Sequence, residues 1–316
     1  MANSVTVRGL QEADLAEADR IMRLAFGTFL GLPDPMAFMG DADYVRTRFA
    51  ADPAVALAAE VDGRLAGTNF VTRWGSVGFF GPLTVDPAHW DTGVARALLD
   101  ETMGVFDRWG VTHAGLFTFG HSPKHVSLYQ RYGFLPRFLT SVLARPVAEA
   151  PGRESGAWST VGAAADPEVA AAGCVAVTDH TYPGLDVTRE IDAARTQKLG
   201  DTVLVPGDGE EMDAFAVCHT GAGSEAGTGT CFVKFGAARP GPGAADRFER
   251  LLGACEAFAR QQQAQTVLAG INTGRRSAYQ TILARGYKPQ LIGVTMHRPD
   301  ESAYHDDAAW VLDDWR

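Results

Sequence analysis

The chain has 316 residues, of which 46% are hydrophobic and 21% charged, and its formal net charge at neutral pH is -10. The length suits about two ordinary domains, and the composition suits packed cores rather than disorder. An acidic balance with no block of Lys or Arg argues against a general nucleic-acid or anionic-membrane surface.

In chain order, residues 4–10 read as a strand and 11–27 as an amphipathic helix, with Leu15, Ile21, Met22, Leu24 and Ala25 on one stripe. A second helix is predicted over 41–53, then a hairpin over 54–75 turned at Asp62-Gly63. A strand over 76–85 feeds a turn, HWDTGVA, that opens a helix running through Trp109. Next come a strand (113–120), a short helix (122–133) and a closing strand region (134–147).

The stretch AEAPGRESGA, 148–157, is small, polar and turn-forming, as a linker should be. Beyond it the order repeats. A strand (158–164) precedes two helices (166–182 and 188–200), the first with Asp166 as N-cap and Pro167 at its first position. Strands follow at 201–207, 213–221 and 230–238, then a helix (241–263), a strand (266–272), a helix (275–286) and a strand (287–299). Counting supports the repeat. Val85 stands eight residues before Gly93, and Phe235 eight before Gly243; each glycine opens a G-x-A triplet. A Gly-Phe pair lies 40 residues beyond Gly93, and a Gly-Tyr pair 43 beyond Gly243. We therefore expect domains at 1–147 and 158–316.

The N-terminal half resembles the GNAT acetyltransferase superfamily, and the C-terminal half resembles it more weakly. Val85, Pro87, Gly93 and Ala95 match the family's acyl-CoA-binding pattern, and LYQRYGF (128–134) matches its second signal. The resemblance implies an α/β fold of two tandem GNAT-like domains, each a mixed, mostly antiparallel sheet flanked by helices. It implies that the segment His89, Trp90, Asp91, Thr92, Gly93, Val94, Ala95 holds the CoA pyrophosphate, with Arg96 and His89 as further donors. A helix N-terminus suits this, because its first N–H groups are unpaired and small residues let a phosphate approach closely. It also implies that the backbone of Leu83 and Val85 pairs with the pantetheine arm. Ser122 stands near a cofactor-contacting position or caps the next helix. Trp90 departs from the family's usual Arg or Gln, and Asp91 from its frequent Gly; a carboxylate there costs affinity unless it is paired.

By the same resemblance Tyr129 is the acid that serves the departing thiolate. His121 is the candidate base, His125 a neighbour with the same chemistry or a cofactor contact, and a water-mediated base remains open. The C-terminal copy has Pro240 at the Arg or Gln position and Ile282 where Tyr129 would be, so the N-terminal copy is expected to be the catalyst. The expected activity is acetyl-CoA-dependent N-acetylation of a small amine, cationic rather than anionic, in a ternary complex. The alternatives are a non-catalytic acyl-CoA-binding or regulatory protein, and transfer of another acyl group or to a hydroxyl or thiol. A monomer or homodimer is expected. No metal is called for, since Cys174, Cys218, Cys231 and Cys255 lack metal-ligand spacing and read as reduced buried thiols. No segment looks like a secretion signal or a membrane span, so a cytoplasmic location is expected. The glycine-rich connection 219–230 reads as a surface hairpin or as a loop reaching the acceptor site. The tail, with two tryptophans, should fold back onto the body.

Overall fold

The computed structural model describes residues 4–148, 156–209 and 211–316; the expected linker lies mainly outside them. Strand β1 (Val5–Gly9) leads into α1 (Leu15–Phe29) and α2 (Tyr44–Ala51). The hairpin β2 (Ala56–Val61) and β3 (Arg64–Trp74) turns at Asp62 and Gly63, whose positive φ values of 52° and 74° match the twist of the flanking strands. The strand expected over 76–85 is broken into β4 (Val77–Phe80) and β5 (Thr84–Val85). Pro82 has no N–H to give a ladder, so pairing with β3 is interrupted there and resumes at Thr84, while pairing with β6 ends at Phe79. Helix α3 (Val94–Trp109), β6 (His113–Thr118), α4 (Pro123–Gln130) and β7 (Leu135–Pro146) complete the half.

The second half has β8 (Ser159–Thr160), α5 (Pro167–Thr181), α6 (Thr188–Thr196), β9 (Gly200–Pro206), β10 (Met212–Gly221), β11 (Gly227–Ala238), α7 (Ala244–Gln261), β12 (Thr266–Asn272), α8 (Arg276–Ala284) and β13 (Lys288–Arg298). Asp166 caps α5 as expected, accepting from the N–H groups of Glu168 and Val169. The tail adds β14 (Trp310–Leu312) and buries Trp315. The four cysteines are buried and free.

The two halves share one sheet, in the order β1-β2-β3-β4-β6-β13-β7-β12-β11-β10-β9-β8. Its centre is an exchange. The last long strand of each half lies inside the other's territory, β13 between β6 and β7, and β7 between β13 and β12. Only β4–β6 and β11–β12 are parallel among the described pairings, so the sheet is mixed and mostly antiparallel. Alternate residues feed opposite faces. On β2, Leu57, Ala59 and Val61 pack with Leu98 and Leu99 of α3, while Ala56 and Ala58 pack with Ala18 and Met22 of α1. In the second half, Val203 and Val205 pack toward Phe248 and Leu251 of α7, while Leu204 faces Val177 of α5 and Ile191 of α6.

Candidate acyl-CoA and acceptor site

The break after Phe80 opens a slot. Strand β4 pairs with β6 only at Val77, Gly78 and Phe79. Past Pro82 the chain stays with β3, with Thr84 opposite Thr68 and Val85 opposite Gly67, and no longer follows β6. The end of β6 is thereby left without a neighbour on that side. Asp86 donates its N–H to Ala66 O at 2.9 Å. Because bonded and non-bonded pairs alternate along an antiparallel ladder, Leu83 and Val85 turn their main-chain groups away from β3, into the slot. One is already engaged: the Trp90 indole donates to Val85 O at 2.9 Å.

At one end of the slot is the start of α3. Gly93 is its N-cap, with φ 98° and no side-chain cap bond, and a Cβ built on it meets nothing within 4 Å. The first N–H groups of α3 therefore face open space, where a helix favours an anion. Asp91 takes φ 64°, a left-handed conformation that Asp tolerates and Gly adopts freely. Its exposed carboxylate meets Lys124 Nζ at 2.8 Å, so the charge beside the helix start is paired. The Lys124 ammonium also lies 5.8 Å from the centre of the Trp90 ring.

Helix α4 supplies the centre of the site. Ser122 caps it, its Oγ accepting from His125 N–H at 3.4 Å, and is buried. One turn apart on a shared face are His125 and Tyr129. The Tyr129 ring lies 5.8 Å from that of Phe80. Burial pushes its phenol well above the ordinary tyrosine value, so it stays a protonated donor. The His125 imidazole is lowered by burial, then by Lys124 and His121, which favours its neutral form at pH 7.

A cavity of about 640 Å³ joins these parts. Leu83, Val85, His89, Trp90, Asp91, Gly93, Val94, Ala95, Arg96, Ser122, His125 and Tyr129 all line it. Thr92 does not; it is exposed, and its hydroxyl donates to His89 O at 2.7 Å. His121 is exposed outside the lining, its ring 5.8 Å from Phe29 and 5.7 Å from Phe119. Glu60, a possible carboxylate base, is bound to Arg8 at 2.7 Å. Sequence reasoning missed the wall made by Phe26, Phe29, Phe38, Met39 and Tyr44. The exposed half-turns of α1 carried that signal, since Phe29 and Leu30 fall off its core stripe.

The sequence profile of the Acetyltransferase (GNAT) family matches residues 20–134. A structure from Pyrococcus horikoshii, described as a candidate acetyltransferase, superposes with a TM-score of 0.68 at 14% identity over 97% of this chain and 93% of that one. A GCN5-related N-acetyltransferase from Sphaerobacter thermophilus gives 0.61 at 15% identity, over 93% and 95%. A tandem GNAT protein from the clavulanic acid biosynthesis pathway gives 0.58 at 11% identity, over 93% and 98%. At such identities the likeness is one of fold. Residues 20–134 thus match the GNAT family, and the chain as a whole has a tandem GNAT-like fold. No curated protein matches its sequence.

The two halves differ at the corresponding slot. In the second copy β11 pairs with β12 from Thr230 to Val233, then parts from it. The opening is filled by β14, with Gly236 opposite Leu312, Ala237 opposite Val311 and Ala238 opposite Trp310. Gly243 again opens the helix with φ 79°, but Arg247 folds back over the loop and donates to Pro242 O at 2.9 Å. Ile282 is fully buried in the core.

The glycine-rich hairpin of the second half docks onto the first rather than standing free. Asp43 N–H donates to Ser224 O at 2.9 Å, and Thr228 N–H to Asp41 Oδ1 at 2.8 Å. Its Glu225 is buried between Arg48 (2.9 Å) and Lys234 (2.7 Å), which hold its carboxylate far below the usual range. Arg48 in turn donates to Gly81 O, at the point where the slot opens. Among the described residues no helix is long and apolar enough to cross a membrane.

Proposed function

We propose that the protein is an acetyl-CoA-dependent N-acetyltransferase acting on a small amine by direct transfer in a ternary complex. The observation that carries this reading is one cavity joining an open helix N-terminus, outward-facing strand groups and a buried phenol with no hydrogen-bond partner among the described residues. The N-terminal domain, 1–147, is the catalyst. The α3 N–H groups from Val94 onward would hold the pyrophosphate, with Arg96, Lys124 and His89 as nearby cations or donors. Leu83 and Val85 would pair with the pantetheine arm.

Bringing donor and acceptor together in one site supplies much of the acceleration. The neutral amine attacks the thioester carbonyl, the C–N bond forms, and the C–S bond breaks. Tyr129 donates a hydrogen bond to the sulfur as its negative charge grows. Because burial raises the phenol above the pKa of a thiol, this donor stabilises the thiolate without being used up. His125, neutral and on the same face of α4, takes the proton shed by the amine, and that proton ends on the sulfur. Reactants and products therefore balance as amine plus thioester to amide plus thiol.

Thiol release from acetyl-CoA across an amine panel tests the reaction. Tyr129→Phe should keep CoA affinity while lowering kcat by about 100-fold, a typical contribution for such a donor. Tight CoA binding with no thiol release for any amine would leave a binding protein. Unchanged turnover in folded Tyr129→Phe, with chemistry rate-limiting, would remove the phenol from the mechanism.

A further inference from the structure

Away from the α3 N-terminus, the cavity is walled by aromatic side chains. Phe26 comes from the last turns of α1, Phe38 from the loop after it, and Phe119 from the end of β6. Their rings touch in series, Phe38 to Phe26 at 5.2 Å and Phe26 to Phe119 at 6.2 Å, and Phe29 continues the wall at 5.0 Å from Phe119. Phe26, Phe29 and Phe38 are only half-buried and Leu30 is 40% exposed, whereas Met22 and Phe70 behind them are fully enclosed. Apolar surface left open in a concave site, rather than packed, marks a place for a ligand.

The charges narrow the ligand. Asp91 is the one side-chain carboxylate among the lining residues; it sits at the helix-start end and is bound to Lys124. Arg316, which also lines the cavity, is paired with Asp314 at 3.0 Å. The aromatic wall offers no side-chain carboxylate to an ammonium, and burying a charge without one there is costly. A compound with several ammonium groups is therefore disfavoured. A single amine fares differently, because desolvation shifts it toward the neutral form that attacks a thioester. The acidic net charge of the chain, which favours a cationic acceptor, is not repeated in the cavity.

We propose that the acceptor is a monoamine on an aromatic body, an arylalkylamine, with its ring against Phe26, Phe38 and Phe119 and its nitrogen directed toward Tyr129 and His125. This rests on the acetyltransferase reading above. The wall runs out to the surface at Leu30, which suits a ligand that enters and leaves in every turnover. An acyl chain carried in on the donor would instead need an enclosed extension of the slot.

Phenethylamine and spermidine serve as probes with the full chain. Calorimetry with the CoA-loaded protein reads binding without reaction, and thiol release from acetyl-CoA reads transfer. Phenethylamine should exceed spermidine in kcat/KM by roughly 100-fold, and Phe38→Ala should weaken phenethylamine binding about ten-fold while CoA affinity holds. Preference for spermidine, or unaltered phenethylamine affinity in folded Phe38→Ala and Phe26→Ala proteins, would overturn the assignment. So would Phe38-dependent binding of benzoyl-CoA much tighter than of acetyl-CoA, which would place the acyl group on the wall. Phe38-dependent phenethylamine binding without any thiol release would uphold the amine site and remove the transfer reaction. CoA binding and amine acetylation that spare arylalkylamines would do the reverse.

Discussion

The slot beside β5 and its counterpart beside β11 grow from the same frame, yet one is open and the other is filled. In both, two parallel strands stay together for three or four residues and then part. In the first copy the strand is interrupted at Pro82, keeps β3 as its partner and parts from β6, leaving outward-facing main-chain groups and an accessible helix start. In the second copy β11 runs on unbroken, and its freed edge is taken by β14. A parted edge must bond to something. What it bonds to separates a ligand site from a structural joint. The filled slot still serves the open one, since the hairpin leading into β11 carries Glu225 to Arg48, and Arg48 to Gly81.

The strongest test of the comparison is to block each helix start. Gly93→Glu adds a Cβ at φ 98° and a carboxylate where an anion should sit. It should weaken CoA binding by at least roughly 100-fold by calorimetry, with the fold checked by circular dichroism. Gly243→Glu should leave CoA affinity as it was. Loss through Gly243 alone would reverse the assignment of the two copies.

The second test asks whether the filled half supports the open one. Glu225→Ala leaves Arg48 and Lys234 buried without their shared partner. It should cost about 3–5 kcal/mol in urea unfolding. A change below about 1 kcal/mol would mean that the hairpin merely rests on the first copy.

The third test concerns the seam beneath the tail. His113 Nε2 and His297 Nδ1 are 2.9 Å apart, and His297 Nε2 and His305 Nδ1 are 3.1 Å apart. Arg137 and Arg275 oppose protonation of this chain, while Asp313 and the Tyr304 phenol lie at its tail end. Burial, then Arg137, lowers His113 to about 4; burial, then its neighbours, lowers His297 to about 3 and His305 well below its ordinary value. In the unfolded chain each histidine takes a proton near pH 6.5, which the folded chain refuses. The unfolded state then binds more protons, so this stability is present above pH 6.5 and is lost as pH falls toward 4. The loss should be on the order of a few kcal/mol, read as a falling urea midpoint. A flat midpoint across that window would refute a neutral histidine chain.

The smallest effect is expected at Asp91. Asp91→Gly relieves a left-handed φ, removes a carboxylate from the helix start and frees Lys124. CoA affinity should rise by roughly two- to five-fold at low salt and less at high salt. Weaker binding would show that the Asp91–Lys124 pair shapes the loop.

Much of this architecture was legible because its signals are local. Asp166 before Pro167 marks the start of α5, Asp62-Gly63 marks a hairpin, and the Gly93 and Gly243 spacing discloses the repeat. The cavity-lining residues between Leu83 and Arg96 were legible for the same reason, since a helix start and its small residues are contiguous in sequence. The break at Gly81-Pro82 was missed within an otherwise strand-like run, because a proline at a bend and a proline at a strand edge look alike until the neighbouring strand is known.

The sequence by itself determined the elements, their order, the duplication and the asymmetry between the copies. Periodicity, caps and glycine positions act over a few residues and need no partner. Tertiary structure decided the rest. Exchange of β7 and β13 depends on pairing between residues more than 100 apart, such as Leu139 with Val294. Entry of β14 into the second slot, burial of Glu225, and the gathering of Phe26, Phe38 and Phe119 into one wall likewise require segments from distant parts of the chain. Each of these features has an energy only once both partners are in place, so no single stretch of sequence records it.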